Sequence, residues 1–361
     1  MANYRLATVL ASKSMGASGT EIIDILEADP ISRIDIVARA TNTAGAPTAH
    51  PAVIVSKIEI VDGSDVLYSL TGKQCRAMAF YSSGKQPIDH HKFLNDVQQI
   101  TQYHLYFGRY LWDKRYALDP KKFKNLQLKI TYTRNAGGIA PDALTFEIFA
   151  LEFDELRVTP AGFFMQKEIF SYTGVASAWE YVDLPTDYPY RLICIDSEVT
   201  TANPNSVYNK IKLVEDNGKK VPIDEISVAT YLKNVAEQFG QINEMQAYAD
   251  CTATLTGYCT ANYLVNIAAT SDSSTNPNDF ATDARQGGTF SIDATDSTNV
   301  ALEVTGYIPH GMMPLLVVGN LADENDWYNV SRIGSLQLQI YGGTSAASGT
   351  IRVTVQQIRN Y

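Results

Sequence analysis

Long apolar runs are missing from this chain. No stretch approaches the roughly 18 consecutive apolar residues that span a bilayer as a helix, so no membrane-spanning helix is expected. The N-terminus lacks a charged region followed by an apolar core and a small-residue cleavage site, and no signal peptide is expected. Cysteine is scarce: Cys75, Cys194, Cys251 and Cys259 make no CxxC and no second pair at zinc-finger spacing. A Cys251–Cys259 bridge would be short enough to form, but four scattered thiols in a reducing compartment is the favoured reading. Histidine is equally sparse, with five residues, and Asp89-His90-His91 is the single tight metal-like cluster. Adjacent histidines on a strand point to opposite faces, so a structural or surface role is expected there rather than a metal site. The phosphate cradle GxxxxGK[ST], a strand-linked GxGxxG, the GxSxG elbow and HExxH are all absent. No catalytic constellation, cofactor or metal is therefore expected, and the chain does not read as an enzyme. Basic excess is lacking too. Lys and Arg number 29 against 39 Asp and Glu, a net charge of -10, which repels a polyanion from the average surface and sets aside sequence-specific nucleic acid as a partner.

What the chain has is a long internal repeat. Glu21-Ile22-Ile23-Asp24-Ile25-Leu26, followed by Asp29-Pro30 and Arg33-Ile34-Asp35-Ile36, is answered by Glu180-Tyr181-Val182-Asp183-Leu184-Pro185, Asp187 and Arg191-Leu192-Ile193-Cys194-Ile195. The shift is 159 residues at Glu21/Glu180 and 158 at Arg33/Arg191. Lys57–Gly63 is matched by Lys210–Asp216 with Gly218 just after, and Asn125–Ile130 by Ser335–Ile340. A period this long exceeds the roughly 20 to 50 residues of solenoid units and equals a whole domain. Each copy alternates apolar and polar residues, as in Leu126, Leu128, Ile130 and again Leu336, Leu338, Ile340, the pattern of strands with one buried face. Asp62-Gly63 sits where a tight hairpin needs positive φ. Helix formers follow the hairpin in both copies, at Gln74–Tyr81 and at Val228 to about Phe239, where Val228, Leu232, Val235 and Phe239 make one stripe that packs on its own sandwich.

Four segments stand apart from the repeat. Residues 1–20 contain no acid, and Leu6, Val9 and Leu10 at helical spacing predict a short amphipathic helix near Tyr4–Lys13, or else a frayed tail. Residues 93–113 are aromatic-rich, with another short helix expected before a strand around His104–Tyr110. Residues 154–166 read as a linker. The second copy is longer by an insertion over 250–305, rich in Asp, Ser, Thr and Asn and read as an exposed excursion. Calcium at its acidic residues is disfavoured because the regular Asp spacing is missing. The basic stretch Lys114, Arg115, Lys121, Lys122, Lys124 and Lys129 reads as a solvated loop first, and as a patch facing lipid headgroups or an acidic neighbour second. Asn329-Val330-Ser331 is a formal sequon that matters only in a secretory pathway.

An eight-stranded antiparallel sandwich with a helix after its fourth strand, present twice, resembles the double jelly-roll major capsid proteins of tailless icosahedral viruses, the adenovirus-like lineage with membrane-containing bacterial and archaeal members. Lys57–Leu70 with Lys210–Ile226, and the closing pairs Asn125–Phe153 and Ser335–Ile358, carry the resemblance over residues 20–361. It implies an all-β fold of two tandem jelly rolls with short helices: an arm at 1–20, a first jelly roll at 21–155 and a second at 166–361 with the insertion 250–305. It implies homotrimers with a pseudo-hexameric outline that tile a virion shell, made in the host cytoplasm, and contacts with penton and minor capsid proteins and an internal lipid membrane. On this reading Tyr4, Arg5 and Lys13 mark a membrane- or neighbour-facing arm. Lys114, Arg115, Lys121, Lys122 and Lys124 form a basal patch, and Asp272, Asp279, Asp283 and Asp293 belong to an exposed tower loop. Deleting residues 1–20 is expected to leave the trimer folded while impairing shell assembly. The alternative is a two-domain β-sandwich that binds carbohydrate or a receptor, to which the Asp/Thr/Asn-rich loop and 21 tyrosines are suited.

Overall fold

The computed structural model describes all residues except 1–2, 43–46, 87–90, 95, 139–140, 155–156, 198, 252–253, 272–279 and 295–297. Its strands fall into two sets built to one plan. The first comprises β1 (Tyr4–Met15), β2 (Ser18–Asp24), β3 (Ile31–Asn42), β4 (Val55–Asp62), β5 (Asp65–Leu70), helix α1 (Gly72–Ser83), β6 (His91–Phe93), β7 (Gln98–Tyr106), β8 (Leu126–Thr133) and β9 (Pro141–Phe153). The second begins with β10 (Gly162–Thr173), β11 (Trp179–Leu184), β12 (Tyr190–Ser197), the single turn α2 (Pro204–Val207), β13 (Tyr208–Glu215), β14 (Lys220–Ser227) and α3 (Val228–Phe239). It continues through β15 (Ile242–Cys251), β16 (Leu255–Tyr258), β17 (Ala261–Ser271), β18 (Phe280–Ala284), β19 (Thr289–Ala294) and β20 (Thr298–Pro309), and closes with β21 (Met312–Pro314), β22 (Leu336–Gly342) and β23 (Thr350–Asn360).

Sheet order repeats with the sequence. β1-β9-β3-β7 corresponds to β10-β23-β12-β21, and β2-β8-β4-β5 to β11-β22-β13-β14, the two interleaved four-stranded sheets of a jelly roll. The registers repeat as well. Glu21 faces Ile130 as Glu180 faces Ile340, and Ile58 faces Ile130 as Ile211 faces Ile340. Leu126, Leu128 and Ile130 are buried between half-exposed neighbours, and Leu336, Leu338 and Ile340 repeat this. Each such side chain contributes roughly 1.5–3 kcal/mol by leaving water. Both hairpins turn through positive φ, at Gly63 (61°) in the first set and at Asp216, Asn217 and Gly218 in the second.

The two sets are joined. β5 of the first pairs in parallel with β10 of the second through Gln166↔Tyr68 and Lys167↔Ser69, so one eight-stranded sheet runs across the molecule. Helix α1 begins with a capping box between Thr71 and Gln74 and ends at left-handed Gly84, both strong local signals. It lies in the seam between the sets with nearly every residue buried. Helix α3 occupies the same place in the second set but buries one stripe only, Val228, Tyr231, Leu232 and Val235.

Several expectations change. Tyr4–Met15 is a strand rather than a helix: β9 supplies a ladder for it, Ala7, Val9 and Leu10 pack on the core, and Leu6 is exposed. An available sheet edge and β-branched Thr8 and Val9 outweigh a three-residue helical pattern. Counting β1, the repeated helix follows the fifth strand and not the fourth. Strand β1 and the start of β10 thus lie in the sheets, outside the expected spans 21–155 and 166–361, and the expected linker already holds Gly162–Gln166 of β10. Among the described residues of 93–113 there is no helix. The acidic insertion is not a bare loop. β16-β19-β18 and β17-β20-β15-β6 form two small sheets around Phe290, Ile292, Val300 and Leu302, a separate apolar cluster.

Candidate functional site

The termini and the basic loop share one end of the molecule. Tyr4 packs tilted against Trp112 with ring centroids 4.4 Å apart, Arg5 pairs with buried Glu152, and the Asp154 amide donates to the Asn3 carbonyl. Tyr361 donates through its hydroxyl to the Ala117 carbonyl, and Lys122 lies 5.8 Å over the Tyr361 ring. Lys114, Arg115, Lys121, Lys122 and Lys124 are all exposed. Their charge is partly answered, by Glu324 at 2.6 Å from Arg115 and Asp29 at 4.0 Å from Lys121. Lys13 does not join them: it sits opposite Phe146 near the far end of β1 and pairs with Glu21, roughly 30 Å along the strand.

The insertion occupies the opposite end. Asn42, at the far end of β3, bonds to Leu94 and to Val97, and β6 from the same region adds in parallel to β15. Asp283 lies on β18 and Asp293 on β19, where it accepts from Thr254. Asp272 and Asp279 fall outside the described residues, as do Asp89 and His90 of the His-rich tripeptide.

The seam around α1 is polar. Gln74 donates to Glu168 (2.6 Å) and Asp196 (2.7 Å), and Tyr81 donates to the Met312 carbonyl. Arg191, almost fully buried over the Phe164 ring, donates to Gln356, to the Ser82 carbonyl at the end of α1 and to the Arg109 and Leu321 carbonyls. Burial lowers its pKa, and four acceptors keep the guanidinium satisfied. The repeat pairs Arg191 with Arg33, but the ladders align it with Ser32, one residue earlier at the same bulge, and its role in the seam was not visible in the sequence.

At the insertion end of the seam lies a constellation that no local spacing reveals. His50, His91 and Glu244 come from three distant segments, with ligand atoms within 4.8 Å of one another, and the His310 ring is 4.8 Å from that of His50. The hydrogen bonds decide what it is. The Ala52 amide donates to His50 Nδ1 (3.0 Å), so the neutral ring carries its proton on Nε2, the nitrogen that faces Glu244 and Thr260. A metal there would have to displace that proton. Glu244 meanwhile accepts from the Thr260 amide (2.6 Å), Gln246 (2.6 Å) and His91 (2.8 Å). This is a buried carboxylate solvated by protein donors. Burial pushes the His50 pKa down to about 4; the same burial would raise Glu244, but hydrogen bonds from His50 and His91 hold it well below the carboxylate range. All four cysteines are buried, and no disulfide joins any of them.

No protein-family model matches the sequence, and no curated protein is similar to it. Solved structures are similar in fold along its length. The STIV MCP aligns over 99% of this chain and 97% of its own, with TM-score 0.61 and 12% identity. The major capsid protein P2 from bacteriophage PM2 aligns over 99% and 98%, with TM-score 0.54 and 11% identity. PBCV-1 VP54 aligns over 99% and 94%, with TM-score 0.57 and 9% identity. At these identities the likeness is one of fold, the double jelly roll.

Proposed function

We propose that the chain is the major capsid protein of an icosahedral virion, acting as a homotrimeric capsomer of pseudo-hexameric outline. One observation carries this: two jelly rolls of the same topology account for nearly the whole chain, and the solved chains of the same double architecture include a major capsid protein aligned end to end. Six similar barrels from three chains fill a hexagonal outline, and a hexagonal outline tiles a shell. The first jelly roll then runs from Tyr4 to Phe153 and the second from Gly162 to Asn360.

In this reading the end bearing Tyr4, Arg5, Lys114, Arg115, Lys121, Lys122 and Lys124 is the base, toward an internal lipid layer or a minor capsid protein. The sheets of the insertion, with Asp283 and Asp293, stand outward as a tower. Penton proteins are partners at the vertices, assembly follows synthesis in the host cytoplasm, and no enzymatic role is assigned. Light scattering on the purified protein, with negative-stain images of the same peak, tests the proposal. The expected result is three times 39.7 kDa with a hexagonal outline; a monomer or dimer that persists at high concentration overturns it.

A further inference from the structure

The contact between the two jelly rolls of one chain has a missing counterpart. In the first set the outer edge of β5 is taken by β10, and α1 is covered by the second set. In the second set the equivalent strand β14 ends its sheet with an edge that no strand among the described residues pairs, and the equivalent helix α3 leaves Thr230, Lys233, Asn234, Glu237 and Gln238 exposed. The strand equivalent to β10 is β1, and among the described residues its outer edge is free as well. A free edge offers unpaired amides and carbonyls to another strand. The chain therefore holds one made contact and both halves of a second.

We infer that β1 of one chain adds in parallel to β14 of the next, while that neighbour's α3 docks on the outer face of β1-β9-β3-β7, repeating between chains the β5–β10 and α1 contact within each. The partner is a second copy of this protein. The inference rests on the capsomer reading and adds which surfaces meet.

Chemistry on both sides fits. The intrachain seam is polar, with Gln74, Tyr81 and Ser82 of α1 bonding to the second jelly roll. Their equivalents in α3 are Thr230, Glu237 and Gln238, polar and exposed. On the receiving face, Arg191 donates to the Ser82 carbonyl near the end of α1; its ladder equivalent in the first jelly roll is the bulge residue Ser32, and Arg33 stands next to it on β3. Arg33 projects from β3 beside Asp35 and Tyr106, and its Nε is buried without a hydrogen-bond partner among the described residues. Docked as α1 is, the C-terminal end of a neighbour's α3 comes to this part of β3, where its carbonyls and the helix dipole favour a cation such as Arg33. The contact is head-to-tail, so three copies close a ring if its rotation closes and otherwise run on as a filament.

Register gives the test. Lys167 faces Ser69 in the made contact; by ladder equivalence, in which the bulge after Thr8 matches the bulge after Glu168, Ala7 faces the Asp224-Glu225 step of β14 in the new one. Neighbouring strands lie about 4.8 Å apart, within the span a disulfide bridges. Ala7→Cys is combined with Asp224→Cys, and separately with Glu225→Cys, then oxidised with copper phenanthroline. The buried native thiols do not compete, and Lys167→Cys with Ser69→Cys is the intrachain control. The expected result is that at least one pair gives a covalent trimer on a non-reducing gel. A trimer by light scattering that neither pair cross-links overturns this inference and leaves the capsomer reading standing; a protein that never trimerises overturns that reading itself. Thr230→Trp, on the exposed face of α3, is a second arm: it should leave the thermal midpoint of the monomer unchanged and abolish the trimer, and a trimer that survives it counts against the docking.

Discussion

Glu244 is the residue on which the insertion end of the seam turns. Removing the carboxylate strands the His91, Thr260 and Gln246 donors in a buried site, so Glu244→Ala should lower the unfolding free energy by about 3–5 kcal/mol in urea titration. A loss under about 1 kcal/mol would refute the network. Its pH dependence has a definite sign. His50 titrates near 6.5 when unfolded and near 4 when folded, so the native state binds fewer protons between those values. Stability is then full above pH 6.5 and falls as pH drops toward 4, by roughly 1.4 kcal/mol per unit from this one group. Glu244 and His310, both held well below their ordinary values, act in the same direction. His50→Asn keeps a side-chain acceptor for the Ala52 amide and removes the titration. Denaturant midpoints at pH 7 and pH 5 should lie closer together in that variant than in the parent. None of this was legible in the sequence, because His50, His91, Glu244 and His310 meet only through tertiary folding, and a lone histidine carries no spacing to read.

At the scale of elements, β1 decides a question that the first residues posed. It lies along β9 and packs Ala7, Val9 and Leu10 on the core, so deleting residues 1–20 should lower the thermal midpoint markedly or prevent folding, not merely disable assembly. Melting by circular dichroism distinguishes these outcomes. Thr71→Ala, which removes one half of the capping box of α1, should cost about 0.5–2 kcal/mol. Elements were readable where the local signal was dense. The Leu126-Leu128-Ile130 alternation, the Asp62-Gly63 turn and the Val228–Phe239 stripe each named their structure. They failed where the signal was short or diluted. Three apolar residues at helical spacing in 1–20 could not outweigh a waiting sheet edge. Phe290 and Ile292 anchor the insertion, but they are scattered among so many polar residues that it read as a loop.

At the scale of the whole molecule, the repeat told the architecture because duplication is a property of the entire string and needs no tertiary knowledge. It could not tell how the copies meet. That contact uses residues in which they differ, such as Gln74 against Thr230. Since α1 is buried by both jelly rolls, neither half keeps its core when the other opens. Calorimetry should therefore give one transition, with calorimetric and van't Hoff enthalpies equal; two separable transitions would contradict the shared helix. The β5–β10 pairing has a mechanical side as well. Only two ladder steps bridge the barrels there, whereas the strands within each barrel are laced along most of their length. Under load the molecule should behave as two stiff plates on a narrow hinge, with α1 as the pin. In the proposed shell, swelling or indentation would then be taken up by flexing inside the tiles before the tiles themselves tear.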